Sequence, residues 1–320
     1  MTTEFLVITE AGFATVQDLG RSRVSHLGVS ASGACDQYSA RWANVLVGNR
    51  QSEPLIELTG TDFSFQSTTT TSVAITGANA DILIGDKPAA GWCSLRVDPG
   101  EFVTIRRIRD GLRCYVAIQG AIVSPTFLGS AAPDRALGFG RPLRTGDRLP
   151  FLPIDERVEI DSLLTSRVRP RYRNPWTLDV CVGPEWHEFE GVRSAVLDSE
   201  FTVDPKSNHV GIRLRADLPH IDLPAELSSR GVAIGAVEIT PSQELVLLHR
   251  GRSITAGYPV VLVVTTSSLS AAGQLRPGDR ARFRLVSMEE ATAQYRQERA
   301  VMDAIERSVR RYPLFAPSRS

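Results

Sequence analysis

The apolar residues of this chain gather in short runs broken by turn formers. SVAITG (72–77), DILIG (81–85), EFVTIRRI (101–108), RCYVAIQG (113–120), LDVCVG (178–183), ELVLLH (244–249) and YPVVLVVTT (258–266) are rich in β-branched residues, with Gly, Pro or Asp at their ends. Runs of this length and make-up predict strands. Their close spacing, with little helix between, points to sandwiches or barrels rather than a parallel α/β sheet. Two segments carry helical periodicity instead. In 36–48, Tyr38, Trp42 and Leu46 recur every four residues, Asp36 is a candidate N-cap and Gly48 a stop. In 288–311, Tyr295, Met302, Ile305 and Val309 form a narrow apolar stripe, with Glu289 and Glu290 early and Arg310 and Arg311 late, as the helix dipole favours, and Pro313 ends it. The expected fold class is mainly β, with few short helices and a C-terminal helix.

A weak internal echo divides the chain. VDPGEFVTI (97–105), LRTGDRLPF (143–151) and LRPGDRARF (275–283) each put a glycine and an acid in a turn that opens onto a strand. Between the last two lies SRVRPRYRNPW, whose two prolines and four arginines suit an exposed connector. The expected organisation is an N-terminal β domain over 1–165, a linker over 166–176, a C-terminal β domain over 177–287, and a helix and tail over 288–320.

Composition narrows the partners. With 320 residues, 42% of them apolar and 22% charged, the chain has the balance of a folded protein and length for two cores. Lys plus Arg and Asp plus Glu both number 36, so no net field draws in nucleic acid or an anionic membrane. A small molecule or another protein is the expected partner. The start, MTTEFLVITEAGF, carries acid early and lacks a basic stretch followed by an apolar run, and no window approaches a spanning helix. Cys35, Cys93, Cys114 and Cys181 never form CxxC. They read as reduced thiols, and the expected location is the cytoplasm.

Standard motifs of chemistry are missing. The chain has no GxxxxGK[ST], no GxGxxG after a strand and no GxSxG, and its five histidines lack metal-binding spacing, so no metal is expected. Three polar, glycine-bearing segments remain. In 15–36, Gln17, Asp18 and Arg21 precede Ser30, Ser32, Gly33 and Asp36. Such a run can offer amide, carboxylate, guanidinium and backbone N–H groups to one polar ligand; equally, Asp18 and Arg21 can pair within a structural loop while Asp36 caps the helix. In SNHVGIRLRAD (207–217), Arg213 lies between Ile212 and Leu214 and on a strand points opposite to both, toward a cleft or toward water. In SITAGYP (253–259), Gly257 permits close backbone approach and Tyr258 supplies a ring with a polar tip, where a plain tight turn is the simpler reading.

Taken in order, GFATVQDLGR (12–21), GVSASGACD (28–36), ANVLVGN (43–49), IELT (56–59), ITGA (75–78), FLGS (127–130), GRPLRTGD (140–147), VGPEW (182–186), SNHVGIRL, GAVEITP (235–241), TAGYP (255–259) and QLRPGD (274–279) resemble the family that holds the C component of 5-oxoprolinase, allophanate hydrolase subunit 2 and the KipI antagonist. The chain is also similar to part of the carboxyltransferase region of urea carboxylases. The resemblance runs from about residue 4 to about residue 286 and is carried by the order of these segments more than by any one of them.

It implies two cyclophilin-like β-barrel domains and a companion protein, the KipI-like B component (subunit 1 in the allophanate hydrolases), with a further A component in the 5-oxoprolinase form. The implied activity is that of one member of an ATP-dependent amide-hydrolysing complex, first of all a 5-oxoprolinase that opens the lactam of 5-oxoproline to glutamate. The alternatives are a carboxyltransferase member of an allophanate hydrolase or urea carboxylase, and a non-catalytic regulator of KipI-antagonist type. ATP acts in the complex, on this chain or a partner; biotin arrives only on another protein, since no attachment motif is present. By the same resemblance Arg21 and Arg213 anchor a carboxylate or phosphate, Gln17, Asp18 and Ser32 orient the amide, and Gly33, Asp36, Thr255, Gly257 and Tyr258 line the site. One region departs from the pattern. Relatives carry Glu where Arg230 stands, Gln where Glu238 stands, an acid just before the segment TAGYP, and glycine in place of Ala256; here His249 to Ile254, around Gly251, supply no acid. Arg230 and Glu238 have exchanged roles as a pair, or the substrate has changed, or the C-terminal half has no catalytic part.

Overall fold

A computed structural model describes residues 3–154, 167–223 and 227–311. They group into two compact units. The first holds residues from 1–20, 37–171 and 300–320, the second those from 21–36 and 172–299. The grouping therefore differs from a division at 165–177: residues 21–36 join the second unit, and the end of the last helix joins the first.

The first unit is a nine-stranded sheet. Its strands are β1 (Glu4–Glu10), β2 (Ala14–Gln17), β3 (Leu55–Thr59), β4 (Phe63–Ser67), β5 (Thr71–Ile84), β6 (Lys87–Ala89), β7 (Ser94–Val97), β8 (Phe102–Ile118) and β9 (Arg148–Phe151). The main path runs β2-β3-β8-β4-β1-β9, and β5 pairs with β6, β7 and β8. Alternation sorts the faces. Leu6, Ile8, Ile56, Leu58, Phe63, Phe65 and Ile105 meet in one core, while Glu57 and Tyr115 face the other way, where the Tyr115 hydroxyl donates to Glu57 at 2.8 Å. The helix Gln37–Leu46 packs against β5 and β8, with Thr76 Oγ1 donating to the Ser39 carbonyl at 2.7 Å.

Two expected turns are absent. SVAITG and DILIG belong to one 14-residue strand, β5, and EFVTIRRI and RCYVAIQG to one 17-residue strand, β8. Gly77, with φ of +92°, makes a bulge, not a turn, and a Cβ there would stand 2.3 Å from the Arg113 carbonyl oxygen. Positive φ at Asp110 and Gly111 is absorbed within the partner strand. Local sequence marks such irregularity but does not distinguish a bulge from a reversal.

The second unit contains a closed barrel, ordered β10-β17-β14-β15-β12-β11-β18. Its strands are β10 (Trp176–Val182), β11 (Phe201–Val203), β12 (Gly211–Arg215), β14 (Ala236–Ile239), β15 (Leu245–Leu248), β17 (Val260–Val264) and β18 (Arg280–Leu285). A separate two-stranded ribbon joins β13 (Arg230–Gly231) to β16 (Thr255–Ala256). Leu178, Phe201, Leu214, Val237, Leu245, Leu262 and Phe283 fill the barrel. The mainly-β expectation is met, and the closed barrel is this second one. All three glycine-acid turns form as expected: Gly100, Gly146 and Gly278 have positive φ, and Asp279 accepts from Arg276 N at 2.9 Å.

The helix Thr266–Ala272 went unread in the sequence, where TSSLSAA continues a strand-like run. Thr265 caps it, its hydroxyl accepting from Ser268 N at 3.3 Å. Thr265→Ala is expected to cost about 1 kcal/mol in chemical denaturation, whereas Thr265→Ser should cost little.

Residues 21–36 lie against this barrel unit. Ser32 N donates to the Arg250 carbonyl at 3.1 Å, and Asp36 accepts from Gln274 at 2.7 Å and from the Tyr172 hydroxyl at 3.2 Å. Gly273 allows the approach, since a Cβ there would meet the Cys35 carbonyl oxygen at 2.6 Å. The long helix Met288–Arg311 forms as expected. Met302 is buried with Trp42, Val45 and Trp92, while Gln51 donates to Asp303 at 3.0 Å and Glu306 at 2.5 Å. Tyr295 is exposed, and Pro313 lies outside the described residues, as does the side chain of Val309. None of the four cysteines takes part in a disulfide. Among the described residues no helix is long and apolar enough to cross a membrane, and no group of His, Cys, Asp and Glu is placed to hold a metal.

Candidate functional site

Pairing register builds a site on the outside of the barrel. Opposed residues of neighbouring strands share a face. Arg213 pairs with Val246, Val246 with Glu238, and Glu238 with Val260, so these four form one row across β12, β15, β14 and β17. Ile212, Leu214, Val237, Ile239, Leu245 and Leu247 point into the core, which turns the row outward. A register shift between Val237 and Glu238 marks a bulge, a device that re-aims a side chain.

Apolar residues surround Glu238. Val232, Ala236, Leu248 and Val260 form a cluster with Val246, Ala256 and Val263 packed on it, so the β13–β16 ribbon lies over this outer face. Glu238 is buried beneath, at 3% exposure, and its Oε1 makes no hydrogen bond to any described residue. Burial pushes its carboxyl up to about 7, opposed in part by the nearby Arg230 guanidinium. Arg230 itself, 35% exposed, pairs with Glu185, which also accepts from Val260 N at 2.8 Å. Behind the ribbon, buried Arg252 donates twice to the Val232 carbonyl, at 3.1 and 2.8 Å, and its Nη1 has no partner among the described residues. Burial lowers the pKa of Arg252.

The expected site residues divide between the units. Gln17 and Asp18 belong to the first, and the others to the second. Asp18 ties its own loop to residues 130–131, accepting from Gly20 N at 2.7 Å, Ser130 Oγ at 2.6 Å and Ala131 N at 2.7 Å. Gln17 Nε2 donates to Thr15 at 3.1 Å and its Oε1 has no partner among the described residues. Arg21, Ser32, Gly33 and Asp36 lie in the segment against the barrel unit; Arg21 N donates to the Ala31 carbonyl at 2.7 Å and Ser32 Oγ contacts Ser30 Oγ at 3.0 Å. Arg213 points outward, as alternation predicts, and pairs with Glu244 at 3.0 Å. Thr255 begins β16 and Gly257 and Tyr258 follow it; Gly257 lies close to the Leu227 carbonyl oxygen, and Tyr258 is exposed. Arg213, Thr255, Gly257 and Tyr258 thus belong to the same face and ribbon as Glu238. Sequence reading left Glu238, Arg230, Glu185 and Arg252 off the list of site residues. Alternation in AVEI already turned Glu238 out of the core; only the ribbon reveals that it is buried.

A family model for the carboxyltransferase domain, subdomains A and B, matches residues 27–285. The chain belongs to this carboxyltransferase-domain family. Among relatives of the domain, the C component of 5-oxoprolinase from Haemophilus influenzae is 28% identical over 305 residues, covering 92% of this chain and 96% of that protein. The Escherichia coli protein of the same name is 31% identical, covering 89% and 93%. The urea amidolyase of Lachancea kluyveri is 30% identical over 94% of this chain but only 18% of its own length. Solved structures agree. Urea amidolyase from K. lactis superposes with a TM-score of 0.86 at 26% identity, over 94% of this chain and 20% of that one, and Kluyveromyces lactis urea carboxylase does so with 0.86 at 26%, over 98% and 30%. This carboxyltransferase domain therefore spans less than a third of those two solved chains and nearly all of the two 5-oxoprolinase components.

Proposed function

We propose that this chain is one member of an amide-hydrolysing complex of 5-oxoprolinase type, working in the cytoplasm with companion proteins of B and A type. The observation that carries this reading is reciprocal coverage: the match to the C component of 5-oxoprolinase accounts for 92% of this chain and 96% of the relative. The outer barrel face fits a small amide, since it combines a buried carboxyl, a cation and an apolar wall. In the proposed arrangement Arg213 and Arg230 attract the anionic end of the substrate, and Thr255, Gly257 and Tyr258 form the rim. Gln17, Asp18, Arg21, Ser32, Gly33 and Asp36 remain candidates by resemblance, with Asp18 assigned to holding its loop.

ATP in such a complex supplies phosphorylation of the amide oxygen, which makes its carbon electrophilic. The face around Glu238 does not fit a nucleoside triphosphate: it offers two carboxylates and an apolar wall, and Arg252 is committed to Val232. We therefore assign ATP to a companion protein. Purified with its companions, the chain should support ATP-dependent release of glutamate from 5-oxoproline. A complex that assembles and releases none would refute the assignment.

The family description favours a second reading, carboxyl transfer to urea or a related amide with biotin carried on another protein. Co-purification of a biotinylated protein, together with carboxylation of urea, would support it over the first.

A further inference from the structure

Glu238 stands out against the rest of the fold. Its carboxyl is buried at 3% exposure, sits at a bulge, and leaves Oε1 with no hydrogen-bond partner among the described residues. A buried polar group left unsatisfied is costly, and such a cost in a native fold calls for an explanation. The neighbouring charges are few. Arg230 comes from β13 and is tied to Glu185; Arg213, two strands away in the same row, is tied to Glu244; Arg252 is tied to the Val232 carbonyl. The cover over Glu238 is slight, since the ribbon is held by two residue pairs, Arg230 with Ala256 and Gly231 with Thr255.

A carboxylate accepts hydrogen bonds and a guanidinium donates them. With Arg230 near enough to act on the Glu238 carboxyl and an apolar wall beside them, the two complement a molecule that presents one N–H and one carbonyl oxygen on a single edge. A cis amide has that edge, as in a lactam or a urea. A secondary amide in an open chain is trans and does not.

We propose that Glu238 and Arg230 form a recognition pair for the cis-amide edge of a small lactam or urea, Glu238 accepting from its N–H and Arg230 donating to its carbonyl oxygen. This rests on the reading of the chain as part of an amide-processing complex and goes beyond it by naming the edge recognised and the two residues that read it.

The test is calorimetric titration of the full-length chain with 5-oxoproline, with its N-methyl derivative and with urea. Because Glu238 titrates near 7, 5-oxoproline should bind about tenfold more weakly at pH 6 than at pH 8. N-methyl-5-oxoproline should bind at least tenfold more weakly at pH 8 and without that dependence. Glu238→Gln should abolish the pH dependence, while Arg230→Gln should weaken binding at both pH values and leave the dependence in place. Carbon-13 NMR of the unsubstituted chain gives a reading that needs no variant: one glutamate carboxyl should titrate near 7 and move to lower pH when 5-oxoproline is added. Urea binding with the same Glu238 dependence, and no 5-oxoproline binding, would uphold the pair and sink the 5-oxoprolinase assignment. Unchanged pH dependence in Glu238→Gln, equal affinity for the N-methyl compound, or binding of none of the three probes would overturn the proposal, even where the assembled complex releases glutamate.

Discussion

Asp18→Ala is expected to destabilise the first unit by about 3–5 kcal/mol, enough to lower its melting temperature by about 10 °C. The carboxylate is 8% exposed and accepts from Gly20 N, Ser130 Oγ and Ala131 N. Its removal would leave three donors without a partner in a region that excludes water. Asp18→Asn keeps one acceptor oxygen and turns an amide N–H toward a donor, so about 1–2 kcal/mol should be lost. Denaturant unfolding of the two variants checks the ranking. If Asp18 instead acted on substrate, Asp18→Asn would lose activity at unchanged stability.

The second large effect is a pH dependence. Glu238 has a folded-state pKa of about 7 against an ordinary 4.5, so the fold favours its protonated form. The sign follows from linkage. Below 4.5 the carboxyl is protonated in both states and its ionisation costs nothing; between 4.5 and 7 the unfolded chain ionises first and stability falls as pH rises; above 7 the full cost remains. The whole interval would correspond to about 3 kcal/mol, and relaxation of the surroundings around the ionised carboxyl reduces this to about 2 kcal/mol. Glu238→Gln should therefore be more stable than the parent by about 2 kcal/mol at pH 8, the gain vanishing near pH 4.5. Thermal melts at pH 4.5, 6 and 8 measure it. A constant difference across that range would mean that Glu238 is not the titrating group.

Much of the architecture was legible in composition and spacing. The β-branched runs became strands, and the glycines of all three glycine-acid turns took the positive φ that only glycine adopts freely. Alternation alone turned Arg213 away from the barrel core. Long-range features escaped. Whether Gly77 begins a turn or a bulge depends on Arg113, thirty-six positions later, whose backbone passes against it. Asp18 resembled a ligand-binding carboxylate because its partners Ser130 and Ala131 lie more than a hundred positions away. Glu238 stood out only as an unusual charge. Its burial depends on a ribbon built from residues 230–231 and 255–256, and no local pattern foretells that these two pairs meet over β14.

The assignment of residues 21–36 to the second unit bears on how the protein is made. That segment leaves the ribosome well before any strand of the barrel whose Arg250 and Gln274 will hold it. The first unit is in the opposite position, since Met302 and Ile305, which seal Trp42 and Trp92, follow its last strand by more than a hundred positions. Neither the barrel with its residues 21–36 nor the cluster around Trp42 can close until these distant segments are made, so this part of folding should be slow. A ribosome stalled at residue 175 should accordingly carry a chain that proteases still cut in the helix Gln37–Leu46, which carries Trp42.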